Sequence, residues 1–221
     1  DKEELINEVQ PVWQKQPSEV EEADYNALYK KLFNDYRDPL FYIHINADYP
    51  LNFKGVLYFP ALRNSYESNE GCIKLFYNSV FVADNIKEIV PDYLYSLCGV
   101  LDCPELPLNV SRSYLQDNSY VSKLSAHIVK KIADRLLKLK NEDFDKYTKL
   151  WDAIKPYIEY GCLKDQKFYD RAKDTVLLKK TDGAYTSLTE LLQDSENETK
   201  VYYTTDAQQQ SYYVNLFADK D

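Results

Sequence analysis

Apolar positions along the first forty or so residues fall three to four apart: Val20, Tyr25, Leu28, Tyr29, Leu32, Phe33 and Tyr36 mark one face of a helix. Ser18 and Glu21, just ahead of that run, have the spacing of a capping box, and Asp38-Pro39 is expected to stop the helix. The period then shortens. LFYIHIN (40–46), FKGVLYF (53–59) and CIKLFYNSVFV (72–82) are β-branched and aromatic runs separated by polar turns, and they predict the strands of a sheet that begins antiparallel. A short helix after Pro91 carries Tyr93, Leu94, Leu97 and Cys98, and GVLDC (99–103) reads as a further strand.

The helical period returns near Ser119. Val121, Leu124, Ile128, Ile132, Leu136 and Leu139 form one stripe, so a single long amphipathic helix is expected there. Trp151, Ile154, Tyr157 and Ile158 begin a second helical stretch, which Gly161 should interrupt and Phe168 to Lys173 continue. VLLKKTDGAYTSL (176–188) predicts a hairpin around Asp182-Gly183. KVYYTTD (200–206) predicts a strand leading into a helix from Ala207 to Phe217. The pattern is that of an α/β protein: a large α/β sandwich over 1–141, a helical connector over 142–180, and the start of a smaller α/β unit over 181–221.

Composition narrows the picture. With 221 residues, 44% of them apolar, the chain can bury a core, and it carries no run long enough for a membrane helix. Its opening lacks a signal-peptide pattern, and starting at Asp1 rather than at a methionine it reads as an excised piece, expected to be cytoplasmic. Cys72, Cys98, Cys103 and Cys162 form no CxxC pair and are expected to be buried free thiols, as suits a reducing compartment. His44, within a strand, and His127, within a helix, lack neighbours at ligand spacing, so no metal site is expected. The 21 tyrosines fall mostly on apolar stripes and read as packing.

Net charge is −9, yet the average conceals a reversal. Residues 112–140 hold seven Lys or Arg against two Asp, while every other stretch is acidic. That island opens within PELPLNVSRSYLQ (104–116), where Pro104 and Pro107 stiffen a loop and Arg112 stands just ahead of a helix start, with its partial positive charge. Such a loop aims its arginine at an anion or at a structural carboxylate. GxSxG, HExxH, Walker A and GxGxxG patterns do not occur, and five glycines leave little for a phosphate-cradling loop, so the chain alone is expected to bind no nucleotide.

LPLNVSRSYLQ, preceded by VFVADNIKEIVPDYLYSLCGVLDCPE, resembles the middle segment of the heat-shock protein 90 chaperones, particularly the bacterial high-temperature protein G branch. The likeness extends through PVWQKQPSEVEEADYNALYKKLFNDYRDPL, LNFKGVLYFP and HIVKKIADRL to KVYYTTD, nearly the whole chain. ALRNSYESNEG (61–71) departs from it, being polar where many relatives are apolar and aromatic.

The resemblance implies a fold like domain 2 of ribosomal protein S5 and a place in an ATP-driven, dimeric chaperone. It also implies Mg2+ and ATP bound by a preceding N-terminal ATPase domain. In that setting Arg112 matches an arginine that reaches the γ-phosphate, Asn109 and Gln116 match polar residues of its loop, and Trp13 matches a tryptophan on the client-contacting side. Partners implied are that ATPase domain, partly folded client proteins, and a second copy joined through a C-terminal domain. This chain alone is expected to be monomeric and inactive. An ATP-independent interaction scaffold on the same fold is the alternative. A nucleic-acid module built on the 112–140 island is weaker, because the rest of the surface is acidic.

Overall fold

The structure is a computed structural model that describes residues 10–61, 72–84, 89–105, 118–193 and 200–218. Five strands, β1 (Phe41–Ala47), β2 (Phe53–Phe59), β3 (Ile73–Tyr77), β4 (Val80–Ala83) and β5 (Cys98–Asp102), form one sheet in the order β1-β2-β5-β3-β4. All pairs are antiparallel except β3 with β5. The central place of β5 matters most, because this strand leads directly into the segment that contains Arg112.

Alternation along the strands sends side chains to two cores. Ile43 and Ile45 of β1, Phe53 and Leu57 of β2, and Leu101 of β5 join the larger one. There they meet Leu124, Ile128, Ile132 and Leu136 of α2 (Asn118–Glu142). Trp151, Ile154 and Ile158 of α3 (Phe144–Lys164) and Phe168 of α4 (Gln166–Ala172) complete it. Val56, Tyr58 and Val100 face the other way, against Tyr25, Leu28 and Tyr29 of α1 (Glu22–Phe33) and against Val12 and Trp13. Helices therefore cover both faces of the sheet in a mixed α/β architecture. The stripe expected on the long helix is buried along its whole length.

Several expectations are corrected in detail. The capping box that starts α1 is Glu21 with Asp24, while Ser18 lies in a separate 3-10 turn, Pro17–Glu19, with its own box between Gln16 and Glu19. The helix stops at Asn34, whose φ of 51° is left-handed, well before Asp38-Pro39. Tyr36 is consequently off the helix and 91% exposed. The run 72–82 is a hairpin: Asn78 and Ser79, with φ of 48° and 63°, turn β3 into β4. The helix expected after Pro91 is a single 3-10 turn, Asp92–Leu94, and Cys98 already belongs to β5.

Gly161 does not interrupt α3, which runs on to Lys164 and gives way to α4 at Asp165. The glycine is there for space. A Cβ at this position would lie 2.8 Å from both Phe168 and Tyr93, two buried rings. Gly161→Ala should therefore destabilise the chain by about 1–3 kcal/mol despite alanine's better helix propensity. Denaturant unfolding that left stability unchanged or raised it would contradict this packing.

The predicted hairpin forms as β6 (Leu177–Lys179) and β7 (Tyr185–Ser187), with Gly183 at φ 87° in the turn, and α5 (Leu188–Gln193) follows. KVYYTTD is not a strand, and the last helix is shorter than expected, α6 (Ser211–Ala218). A strand needs a neighbour for its backbone hydrogen bonds, and none pairs with 200–206 among the described residues. No helix among the described residues is long and apolar enough to cross a membrane.

Candidate functional site at the end of the central strand

Arg112, Asn109 and Gln116 lie in 106–117, outside the described residues. What the structure gives is the frame on either side of them. Asp102, the last residue of β5, is 1% exposed, and its Oδ2 accepts four hydrogen bonds from two distant segments. Trp13 Nε1 donates at 3.3 Å and Gln14 Nε2 at 2.7 Å. The Ser79 backbone N–H donates at 2.8 Å and the Ser79 hydroxyl at 3.2 Å. One buried carboxylate thus staples the 3-10 turn Val12–Gln14 and the β3–β4 turn to the strand that feeds the loop. Charge-assisted bonds of this kind are stronger than neutral ones, which offsets much of the desolvation of the carboxylate.

Trp13 is 6% exposed, its ring centroid 5.0 Å from that of Phe76 on β3. It presents no free face. Asp102, Gln14 and Ser79 were not among the residues singled out by sequence; the signal available was an aspartate closing an otherwise apolar strand, which buried surroundings oblige to find donors.

Cys103, the next residue, donates its backbone N–H to the Phe76 carbonyl at 3.0 Å. Burial pushes its thiol up to about 12; the Asp102 carboxylate adds to the rise, and the neighbouring Tyr120 hydroxyl opposes it. Tyr120 comes from the first turn of α2, and burial, then Cys103 and Glu105, raise its own ionisation. Cys103 belongs to the larger core and Tyr120 packs against that core, so the end of β5 and the start of α2 share the same packing. Glu105 reaches back to the β1–β2 connection, accepting from the Asn52 N–H at 3.4 Å. Both ends of the segment that contains Arg112 are therefore fixed.

The remaining titratable candidates are structural. Burial lowers the ionisation of His44 and His127, and the Tyr25 hydroxyl lies 2.7 Å from His44 Nδ1. No group of three or more His, Cys, Asp or Glu among the described residues could hold a metal ion. All four cysteines are free, though only Cys103 is fully buried and the others are half-buried. Away from the loop, Asp35 is held down to about 2 by hydrogen bonds from Arg37 and accepts the Tyr29 hydroxyl at 3.1 Å.

Comparison with known proteins adds the context that geometry does not. The family described as Hsp90 protein matches residues 1–220. Chaperone protein HtpG of Porphyromonas gingivalis is 41% identical over 227 residues, which cover 100% of this chain and 33% of that protein. The htpG chaperone of Bacteroides fragilis is 40% identical over 223 residues, covering 98% of this chain and 33% of its own length. Heat shock protein 90-5, chloroplastic, of Arabidopsis thaliana is 33% identical over 212 residues, covering 90% of this chain and 27% of its own length. The chain spans about a third of the length of the curated bacterial relatives it matches.

Proposed function

The chain belongs to the Hsp90 protein family, and from that premise we propose that it is the middle segment of an ATP-dependent molecular chaperone. Its role would be to hold client proteins and to supply Arg112 to the γ-phosphate of a nucleotide bound by an N-terminal ATPase domain of the same polypeptide. The observation that carries the reading is the family match over residues 1–220, which includes the LPLNVSR motif between the anchored end of β5 and the start of α2.

The residues present fit a terminal phosphate. One guanidinium and two amide side chains, Arg112, Asn109 and Gln116, are a donor set for an anion, and the described residues offer no carboxylate cluster that would claim the Mg2+. ATP with Mg2+ supplies a phosphoryl group whose charge spreads over its outer oxygens as it transfers. Arg112 meets that charge with a planar fork of N–H donors, and the arginine cannot lose its proton. Pro104 and Pro107 restrict the backbone ahead of Arg112, so less ordering is needed when the two domains close. Asn109 and Gln116 hold the loop's shape or touch the nucleotide.

On this reading 1–141 is the large subdomain, with the fold of domain 2 of ribosomal protein S5. Residues 142–180 are a helical connector, and 181–221 begin a smaller α/β unit. Partly folded clients are bound in the cytoplasm by a homodimer joined through a further domain. Trp13 contributes to clients through the turn it anchors, since its ring is spent on Phe76 and Asp102. The scheme places nucleotide affinity in the other domain. Calorimetric titration of Mg2+-ATP into this chain alone should give no heat of binding, and tight binding would replace the proposal with a nucleotide site of the chain's own.

A further inference from the structure

The basic island of the sequence does not stand alone in the fold. Lys130 on α2 faces, across a groove of about 800 Å3, three cations from another part of the chain: Lys164 at the end of α3, and Lys167 and Arg171 on α4. Asp165 is the one carboxylate in the groove's wall, and both of its oxygens are engaged. Oδ1 caps α4 by accepting from the N–H groups of Lys167 and Phe168, and Oδ2 accepts from the Tyr93 hydroxyl at 3.0 Å. Nearby, Asp170 accepts from Gln166 at 2.9 Å. None of the ion pairs found among the described residues involves Lys130, Lys164, Lys167 or Arg171. Lys164 is steadied instead over the Tyr160 ring, 5.4 Å from its centroid.

We propose that this groove between α2 and α4 binds an acidic polypeptide segment in extended conformation. Lys167 and Arg171, four apart on α4, have their Cβ atoms about 5–6 Å from each other along one wall, close to the roughly 7 Å between alternate side chains of an extended strand. Lys130 stands on the α2 side of the groove, where Ser125 and Ala126 are small side chains that leave room for a peptide backbone. The choice of a peptide over a nucleic acid follows from what the groove lacks. Tyr93 is the one aromatic ring in the groove's lining and it is buried, so the lining offers a base no open ring to stack on. The net charge of −9 also repels a long phosphate backbone, whereas a short acidic segment meets only the local field. This site requires no nucleotide and is independent of the role given to Arg112.

The test uses the full-length protein and fluorescence anisotropy with a labelled oligoglutamate peptide, an oligoglutamine of equal length, and a single-stranded oligodeoxynucleotide of equal charge. Oligoglutamate should bind, weaken as salt rises, and lose about 10-fold or more in affinity when Lys164, Lys167 and Arg171 are all changed to Gln. Changing the exposed Lys146 and Lys149 of α3 to Gln, outside the groove, should leave the affinity unchanged. The inference is overturned if oligoglutamate does not bind, if the control pair weakens it as much as the groove triple, or if the oligodeoxynucleotide binds more tightly than the peptide.

Discussion

Asp102→Ala should cost the chain about 1–3 kcal/mol of stability, a large effect for a single polar side chain. Trp13 Nε1 and the Ser79 backbone N–H are pinned on Oδ2; without it the buried indole N–H has no acceptor, while the N–H of the exposed Ser79 can turn to water. Each such loss costs about 1–3 kcal/mol, reduced here because the carboxylate's own desolvation is also removed. Asp102→Asn keeps an amide oxygen for the indole and the backbone N–H but gives up the charge, so its loss should be about half as large. Chemical denaturation followed by tryptophan emission measures both variants. If alanine at 102 changes stability by less than about 0.5 kcal/mol, the stapling role of Asp102 is wrong.

Those donors also mark where sequence reading succeeds and where it runs out. β2 follows its apolar run from Phe53 to Phe59, and α2 buries the whole predicted stripe, because in both places one local period agrees with the packing around it. The run 72–82 hid a hairpin because Asn78-Ser79 lacks the glycine that usually marks such a turn, and both residues nevertheless take positive φ. Gly161 looked like a breaker because its reason for being small, the rings of Phe168 and Tyr93, comes from elements seven and 68 residues away in sequence. Tyr36 kept the helical spacing of α1, but Asn34 had already ended the helix, and the Asp35 carboxylate turned back to Arg37 and Tyr29.

The candidate site divides along the same line. A local motif, two prolines ahead of an arginine and a helix, could be read from the chain directly. The Asp102 staple could not, because its partners lie 23 to 89 residues away and become neighbours only when the sheet forms. The basic groove is similar: Lys130 belonged to a visible charge island, whereas Lys164, Lys167 and Arg171 sat in a stretch that is acidic on average.

In the full-length protein, Arg112→Ala should leave the fold and most of the ATP affinity intact while slowing hydrolysis by about 10- to 1000-fold. The range sits below the strongest arginine-finger effects because domain closure contributes to the turnover that is measured. Ground-state binding needs little from a residue outside the nucleotide pocket, but the transition state needs its charge and its paired donors. Arg112→Lys keeps the charge without the fork and should rescue poorly; Arg112→Gln keeps polarity without charge and should resemble alanine. Steady-state hydrolysis by full-length Arg112→Ala, measured beside its nucleotide affinity and its thermal unfolding, tests the proposal most directly. Slow turnover with near-native affinity and Tm is the predicted result; wild-type turnover, or a loss of activity that merely tracks a lowered Tm, would contradict it.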